Sequence, residues 1–221
     1  MQKIIQLTEN FSKVNCKDIG TLILTQGNQP SLTIEADEDI LAELTAEVRG
    51  DTLVLGLDHD WITQIGKVVS SLVNNTHRKV TYHLTVVDLE KISISGKINL
   101  SCERFKTDKI TLKVSGLGDL DFTELDCDSL DVIISGRGEF RAAGRADQQY
   151  ARISGSGEYE TPHLAGQTMR IIISGQGYAT IRVEESLDIT ISGMGQVNYY
   201  GRPKLRQVIS GLGKSKRLND Q

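Results

Sequence analysis

Cysteine, proline and tryptophan are scarce in this chain of 221 residues, at three, three and one. Cys16, Cys102 and Cys127 lie far apart with no CxxC pair, which excludes a dense disulfide framework and gives no support to zinc or thioredoxin-type chemistry. Each is expected as a small buried hydrophobe, with at least one thiol unpaired within the chain. The four histidines, His59, His77, His83 and His163, match no zinc spacing and read as surface or loop residues, so neither a metal nor a cofactor is expected. An excess of basic charge is also missing. The formal net charge is −4 with both signs interspersed, which excludes a general nucleic-acid binder. No window reaches the roughly 18 apolar residues of a membrane span. The opening Met1–Gln6 has no sustained apolar core of an export signal, so the chain reads as soluble, a reading that fits a cytoplasmic protein or an exported one.

Glycine, by contrast, is plentiful: 21 residues, recurring at fixed spacing rather than in linker-like runs. Ser-Gly occurs at 95–96, 115–116, 135–136, 154–155, 174–175, 192–193 and 210–211, at intervals of 18 to 20 residues. The last six copies extend to S-G-x-G. One, three and five places before Ser115, Ser135, Ser174 and Ser192 stand apolar residues, as in Val114, Leu112 and Ile110 or Ile191, Ile189 and Leu187. That period of two predicts a strand with those side chains on one face. The same phase resumes after the motif with Leu120 and Phe122, or Ala179 and Ile181, predicting a second strand. Both glycines fall in the inward phase, which predicts a tight corner with no room for a side chain inside. A repeat this short cannot bury its apolar face alone, but copies stacked at a strand spacing of about 4.8 Å make a continuous core. The expected fold is therefore all-β: a right-handed parallel β-helix, or solenoid, the handedness following the rule for parallel crossovers. A propeller or leucine-rich repeat needs longer units or an asparagine ladder.

The first third also reads as strands, around Leu22–Leu24, Leu32–Ile34 and Leu53–Leu57, without the S-G-x-G mark. Between these and the array, Ile62, Ile65, Val68, Val69, Leu72 and Val73 have helical spacing and predict one short helix near 61–74 that packs on the solenoid or plugs an end. The expected division is a strand-rich N-terminal region over 1–86 and a repeat β-helix over 87–221. Its terminal copies are atypical, as caps are: Ile98 replaces a glycine, Gln207 fills an inward slot, and the basic tail Lys214–Arg217 reads as a solvated end.

The recurrent I-S-G-x-G, together with the strand-rich start and the run Val80–Ser95, resembles the bacterial family described as putative auto-transporter adhesins with a head GIN domain. The resemblance covers nearly the whole chain. It implies a right-handed β-helix similar to pectate-lyase-like folds and a location in the cell envelope or outside the cell. It supplies no catalytic residues.

The serine column Ser95, Ser115, Ser135, Ser154, Ser174, Ser192 and Ser210 is expected to stack as a structural ladder whose hydroxyls bond nearby backbone. Seven equivalent serines with four histidines do not make a nucleophile, which needs one base and one oxyanion site. Four places after the serine stand Asp119, Glu139 and Glu158, and six places after it Asp121, Arg141 and Glu160. Stacked carboxylates on a β-helix face are the arrangement used for acid/base work on polysaccharides or for calcium. They are equally what a solvated strand face requires, and the first column continues with Tyr178, Gln196 and Lys214. Asp119, Asp121, Glu139, Glu158 and Glu160 are thus the candidate ligand or cation face, with Tyr159, Tyr178, Tyr199 and Tyr200 as a sugar-stacking platform or, for Tyr159 and Tyr199, as core. The preferred reading is a non-enzymatic envelope or extracellular module for adhesion or for binding a glycan or a protein. The alternatives are a pectate-lyase-like polysaccharide enzyme, with Arg137 or Arg141 beside the carboxylates, and a structural protein that self-assembles into a homo-oligomer through exposed coil ends or the 61–73 segment.

Overall fold

The computed structural model of the chain describes residues 1–5, 7, 10–57 and 79–219. Its strands are β1 (Gln2–Ile5), β2 (Lys13–Cys16), β3 (Ile19–Gln26), β4 (Ser31–Glu35), β5 (Leu44–Arg49), β6 (Thr52–Leu57), β7 (Thr81–Val86), β8 (Lys91–Ile94), β9 (Lys97–Val114), β10 (Leu117–Ile134) and β11 (Arg137–Ile153), followed by seven shorter ones. These are β12 (Ser156–Ala165), β13 (Thr168–Ile173), β14 (Gln176–Arg182), β15 (Ser186–Ile191), β16 (Met194–Tyr200), β17 (Lys204–Ile209) and β18 (Leu212–Arg217). The protein is all-β and forms a β-solenoid. The helix predicted near 61–74 lies outside the described residues, as do His59 and His77. Among the described residues, helix is confined to a single turn, α1 (Glu38–Leu41), so the one short helix of the sequence reading is not found there.

Period-two alternation becomes winding because each strand lies parallel and in register on its counterpart one repeat earlier. Leu117 of β10 lies beside Lys97 of β9 and Arg137 of β11, and the ladder continues through β13, β15 and β17 on one face and β12, β14, β16 and β18 on the next. The inward residues predicted from the serine offsets, from Ile110 to Ile191, are buried. Each such Leu or Ile contributes about 1.5–3 kcal/mol when fully removed from water. Phe105, Phe122, Phe140 and Tyr159 follow one another through the core with ring centroids 6.4, 6.2 and 5.2 Å apart. Tyr159 is inside, as its phase predicts, and its hydroxyl donates to Gln149 Oε1 at 2.9 Å.

At the S-G-x-G corners from Ser115 to Ser192 the serine and first glycine amides converge on one carbonyl of the coil before: Ser115 N and Gly116 N reach Ile94 O at 2.8 and 3.3 Å. The amide after them, Leu117 N, bonds Gly96 O at 2.9 Å. This geometry corrects the reason given for the first glycine. A Cβ on Gly136 would lie 2.0 Å from Gly116 O and 2.4 Å from Ser115 O, so it is the carbonyls of the neighbouring coil that exclude a side chain. Positive φ plays no part there; among the described residues it is confined to Gly50, Gly144 and Gly201. The second glycine does face inward: a Cβ on Gly118 would sit 3.3 Å from the side chains of Ile94 and Val114.

Repeat length varies at a different bend. Phe122 pairs with Ala142 but Leu125 with Gly144, so β11 is one residue short there, and Gly144 takes φ +113 with its α-carbon against Leu125 O. The serine corners stay aligned because the change is absorbed away from them.

Residues of the first third share the stack. β2 and β3 lie parallel to β8 and β9 on one side and to β6 and β7 on the other. Lys17-Asp18-Ile19-Gly20 therefore lies directly beneath Ser95-Gly96-Lys97-Ile98. Asp18 stands in a glycine slot, and its carboxylate accepts the hydroxyl of fully buried Tyr82 at 2.6 Å. Beyond β6 and β7 the stack is closed by antiparallel strands, β4 and β1 on one face and β5 on the other. The three cysteines are free and buried in the core, where burial pushes the Cys16 and Cys127 thiols up to about 12.

Candidate ligand-binding face

Parallel in-register winding turns a fixed offset from the serine into a column of neighbours. Asp119, Glu139, Glu158, Tyr178 and Gln196 stand on successive coils, and beside them Asp121, Arg141, Glu160, Thr180 and Asn198. All five predicted face residues are thus brought onto one strand face. Asp119 and Glu158 are exposed, and Asp121, Glu139 and Glu160 half-buried. With Arg137, Ser156, Gln176 and Tyr178, three of them line an open depression of about 270 Å3 in which the Tyr178 ring is 58% exposed.

Charge on this face is partly compensated. Arg141 bonds Asp121 through Nε at 3.2 Å and also engages Glu139, which together hold its guanidinium above its ordinary pKa. Glu160 lacks such a partner. Burial raises its carboxyl pKa against the bond it accepts from Thr180 Oγ1 at 3.1 Å, and the charges of Glu158 and Glu139 raise it further. The carboxylates project side by side from adjacent strands rather than across a gap, and two of them are held by the same guanidinium. Among the described residues no three His, Cys, Asp or Glu side chains converge in a way that could hold a metal ion.

The seven serines line up at the corners and are exposed. Their amides carry the corner bonds; of the hydroxyls, Ser95 Oγ reaches Cys16 O at 3.5 Å, and Ser154 Oγ accepts from Arg152 at 3.3 Å. Tyr200 lies outward under the Arg182 guanidinium at 5.0 Å, while Tyr199 is half-buried against the core. His163 is exposed, and His83 lies 3.5 Å from Glu35.

Two further polar groupings escape a reading by serine offset alone. Arg145 reaches Asp126 at 3.0 Å and Asp128 at 3.2 Å, and also engages Asp147, while Lys106 reaches Asp126 from the other side at 3.1 Å. The one-residue shift at Gly144 puts Arg145 beside Asp126 and hides this pairing from a constant offset. On the face before each serine, an open depression of about 250 Å3 is lined by Asp131, Tyr150, Arg170 and Asp188 with flanking Ser129 and Thr168. Those four stand four places before their serines, a signal that was available in the repeat.

Fold and face together define a β-solenoid repeat protein that presents polar, stacked strand faces to solvent. The chain belongs to the family described as "Putative auto-transporter adhesin, head GIN domain", whose match spans residues 10–203. It is similar over its whole length to a crystal structure titled a putative adhesin from Bacteroides fragilis, at 25% identity and TM-score 0.86, covering 96% of that chain. A putative lipid binding protein from Parabacteroides distasonis, 19% identical with TM-score 0.73 over 99% of this chain and 96% of that one, shares the fold. So does a putative adhesin from Parabacteroides merdae, at 18% identity and TM-score 0.66 over 99% and 95%. A part of the chain, 58%, is 33% identical to human integrin beta-6, but this spans only 16% of that protein and carries none of its partners here. The family and the Bacteroides fragilis structure support an adhesion-like role. No helix among the described residues is long and apolar enough to cross a membrane.

Proposed function

We propose that the chain is a non-enzymatic module of the cell envelope or extracellular space that binds glycans on the face of Asp119, Glu139, Glu158 and Tyr178. The same reading takes the solenoid as right-handed, as parallel crossovers are. The observation that carries it is the exposed Tyr178 ring set in register with carboxylates and amides around a shallow depression. An aromatic ring offers a flat apolar surface to the C–H face of a sugar, while carboxylates and amides on either side accept and donate to its hydroxyls. Recurrence of the face on successive coils suits an extended chain, because several weak contacts on one ligand reinforce each other. The side-by-side carboxylates, two of them tied to Arg141, favour binding over acid/base cleavage, since inverting and retaining hydrolysis each need two carboxyl groups placed across the scissile bond.

The test is a glycan array probed with the purified protein, with and without calcium, followed by a product assay on each hit. Binding without cleavage, weakened about tenfold or more by Tyr178→Ala, is expected. Cleavage lost on Glu139→Gln would replace this reading with the enzyme one. Binding unaffected by Tyr178→Ala and by Glu158→Gln would move the ligand off this face.

A further inference from the structure

The two ends of the stack differ in a way that the sugar-binding reading does not use. At one end, the last coil leaves its core slots uncovered. Leu205 and Ile209 continue the columns in which Leu187 and Ile191 are fully buried, yet they are 40% and 37% exposed. Val208 and Leu212 beside them are 56% and 81% exposed. Among the described residues, β17 pairs with β15 and β18 with β16, and no strand pairs with their outer edges. The rim of this end is basic: Arg202, Lys204, Arg206, Lys214, Lys216 and Arg217, with no carboxylate between positions 202 and 217, and with Asp188 of the coil before 3.9 Å from Arg206.

The other end carries the opposite charge. Its outermost elements are β1, α1 and β5; among the described residues β1 pairs only with β4 and β5 only with β6. Between positions 35 and 47 the chain has no basic residue, and Glu35, Asp37, Glu38, Glu43 and Glu47 are exposed or half-exposed; of the two basic residues on these outermost elements, Lys3 donates to Leu44 O at 3.2 Å and Arg49 pairs with Glu47 at 2.9 Å, so five carboxylates face two bases. Inside this acidic rim lie partly buried apolar residues that pack on the core from the outside, Ile5, Leu41, Ala46 and Val48.

We propose that the chain associates head to tail, the basic C-terminal coil of one copy seating on the acidic N-terminal cap of the next. Unpaired strand edges with exposed apolar residues favour another strand-bearing surface, because the backbone of a second strand edge offers a whole row of N–H and C=O partners at the matching spacing. The sign of the charges selects which surface. Tail against tail would oppose six bases to six bases, whereas tail against cap opposes bases to carboxylates and steers the encounter. A contact between two different ends is heterologous, so it propagates into an open stack unless its rotation closes a ring. Such a stack would repeat the side faces of each copy along one axis. The inference does not depend on what those faces bind.

The experiment is sedimentation velocity on the full chain over a range of concentration and salt, with two charge-reversed variants. One carries Lys204→Glu and Arg206→Glu, the other Glu43→Lys and Glu47→Lys; all four side chains are outside the core, and circular dichroism checks that each variant folds. The wild type is expected to form concentration-dependent oligomers that weaken as salt rises, because exposed charges are screened beyond about 10 Å at 0.1 M. Each variant alone is expected to associate at least about tenfold more weakly, and an equimolar mixture of the two to recover association at least to pairs, since the unaltered basic tail of the cap variant then meets the unaltered acidic cap of the tail variant. Wild type that stays monomeric at millimolar concentration in low salt overturns the proposal. So does association that survives both reversals, or a mixture that fails to recover it. Monomeric protein that instead binds vesicles of anionic phospholipid through Lys204 and Arg206 would assign the basic end to a lipid surface and overturn it likewise. Loss of self-association with glycan binding intact would sink this inference alone.

Discussion

Substituting alanine at three glycines should separate the physical reasons for which glycine is used here. At Gly136 the added Cβ would lie 2.0 Å from Gly116 O and 2.4 Å from Ser115 O, against an ordinary separation of well over 3 Å. Both are backbone atoms held in the ladder, so relief requires moving one coil away from the next. That movement stretches the bonds from Ser135 N and Gly136 N to Val114 O and from Arg137 N to Gly116 O. Each backbone bond is worth about 0.5–1.5 kcal/mol net, and overpacking adds about 1–3 kcal/mol, so Gly136→Ala should cost about 3–5 kcal/mol. This is a large share of the 5–15 kcal/mol that typically holds a domain. At Gly118 the nearest atoms are side-chain methyls and Ile98 O at 3.3 Å, which can give by a few tenths of an ångström, and the expected cost is about 1 kcal/mol. At Gly50 nothing lies within 4 Å, and the cost is that of placing alanine at φ +64, about 1–2 kcal/mol. Urea unfolding followed by circular dichroism, compared at equal slope, measures all three. If Gly118→Ala or Gly50→Ala proves as damaging as Gly136→Ala, close approach of neighbouring coils is not what excludes a side chain from the corner.

Tyr159→Phe removes the donor to buried Gln149 Oε1 and leaves that oxygen without its partner, so the melting temperature should fall by the equivalent of about 1–2 kcal/mol, while Gln149→Leu in the same background should recover part of it. The raised carboxyl pKa of Glu160 means that the folded form holds its proton more tightly than the unfolded chain. The contribution of Glu160 to stability should therefore fall as pH rises from the ordinary glutamate range through the folded pKa, and the stability of the wild type relative to Glu160→Gln, measured over pH 3–7, should decline with rising pH. The buried thiols, with Cys16 and Cys127 pushed up to about 12, should be inert to a thiol reagent at neutral pH in the folded protein, and all three should react on unfolding. Rapid reaction of a native thiol would contradict their burial.

Much of the core could be read directly. Ile110, Leu112 and Val114 and their equivalents are buried because a strand alternates its faces by geometry, so phase relative to the serine suffices. The candidate face was legible for the same reason: in a parallel stack without shifts, equal offset means adjacency, and Asp119, Glu139 and Glu158 had to be neighbours. Where the register shifts, the rule fails. Arg145 meets Asp126 only because β11 is one residue short at Gly144, and no count of residues from the serine shows where in a repeat the missing residue lies. Tyr150 in its column between Asp131 and Arg170 kept a constant offset and could have been found.

Strand period, inward faces, corners and the family resemblance are all written in the sequence, because alternation and close-packed glycines are imposed locally and repeated often enough to be unmistakable. Long-range strand pairing set the order of the first coils, in which β2 and β3 are held between β6–β7 and β8–β9. It also decided the use of Asp18 in a glycine slot to satisfy Tyr82. Pairing between strands distant in the chain is set by backbone hydrogen bonds and by the partner available at each edge, and every residue but proline carries the same backbone groups, so those bonds leave little mark on the sequence. The opposed charges of the two ends were likewise present in the sequence from the start, but as runs far apart along the chain; winding places them at opposite ends of one stack.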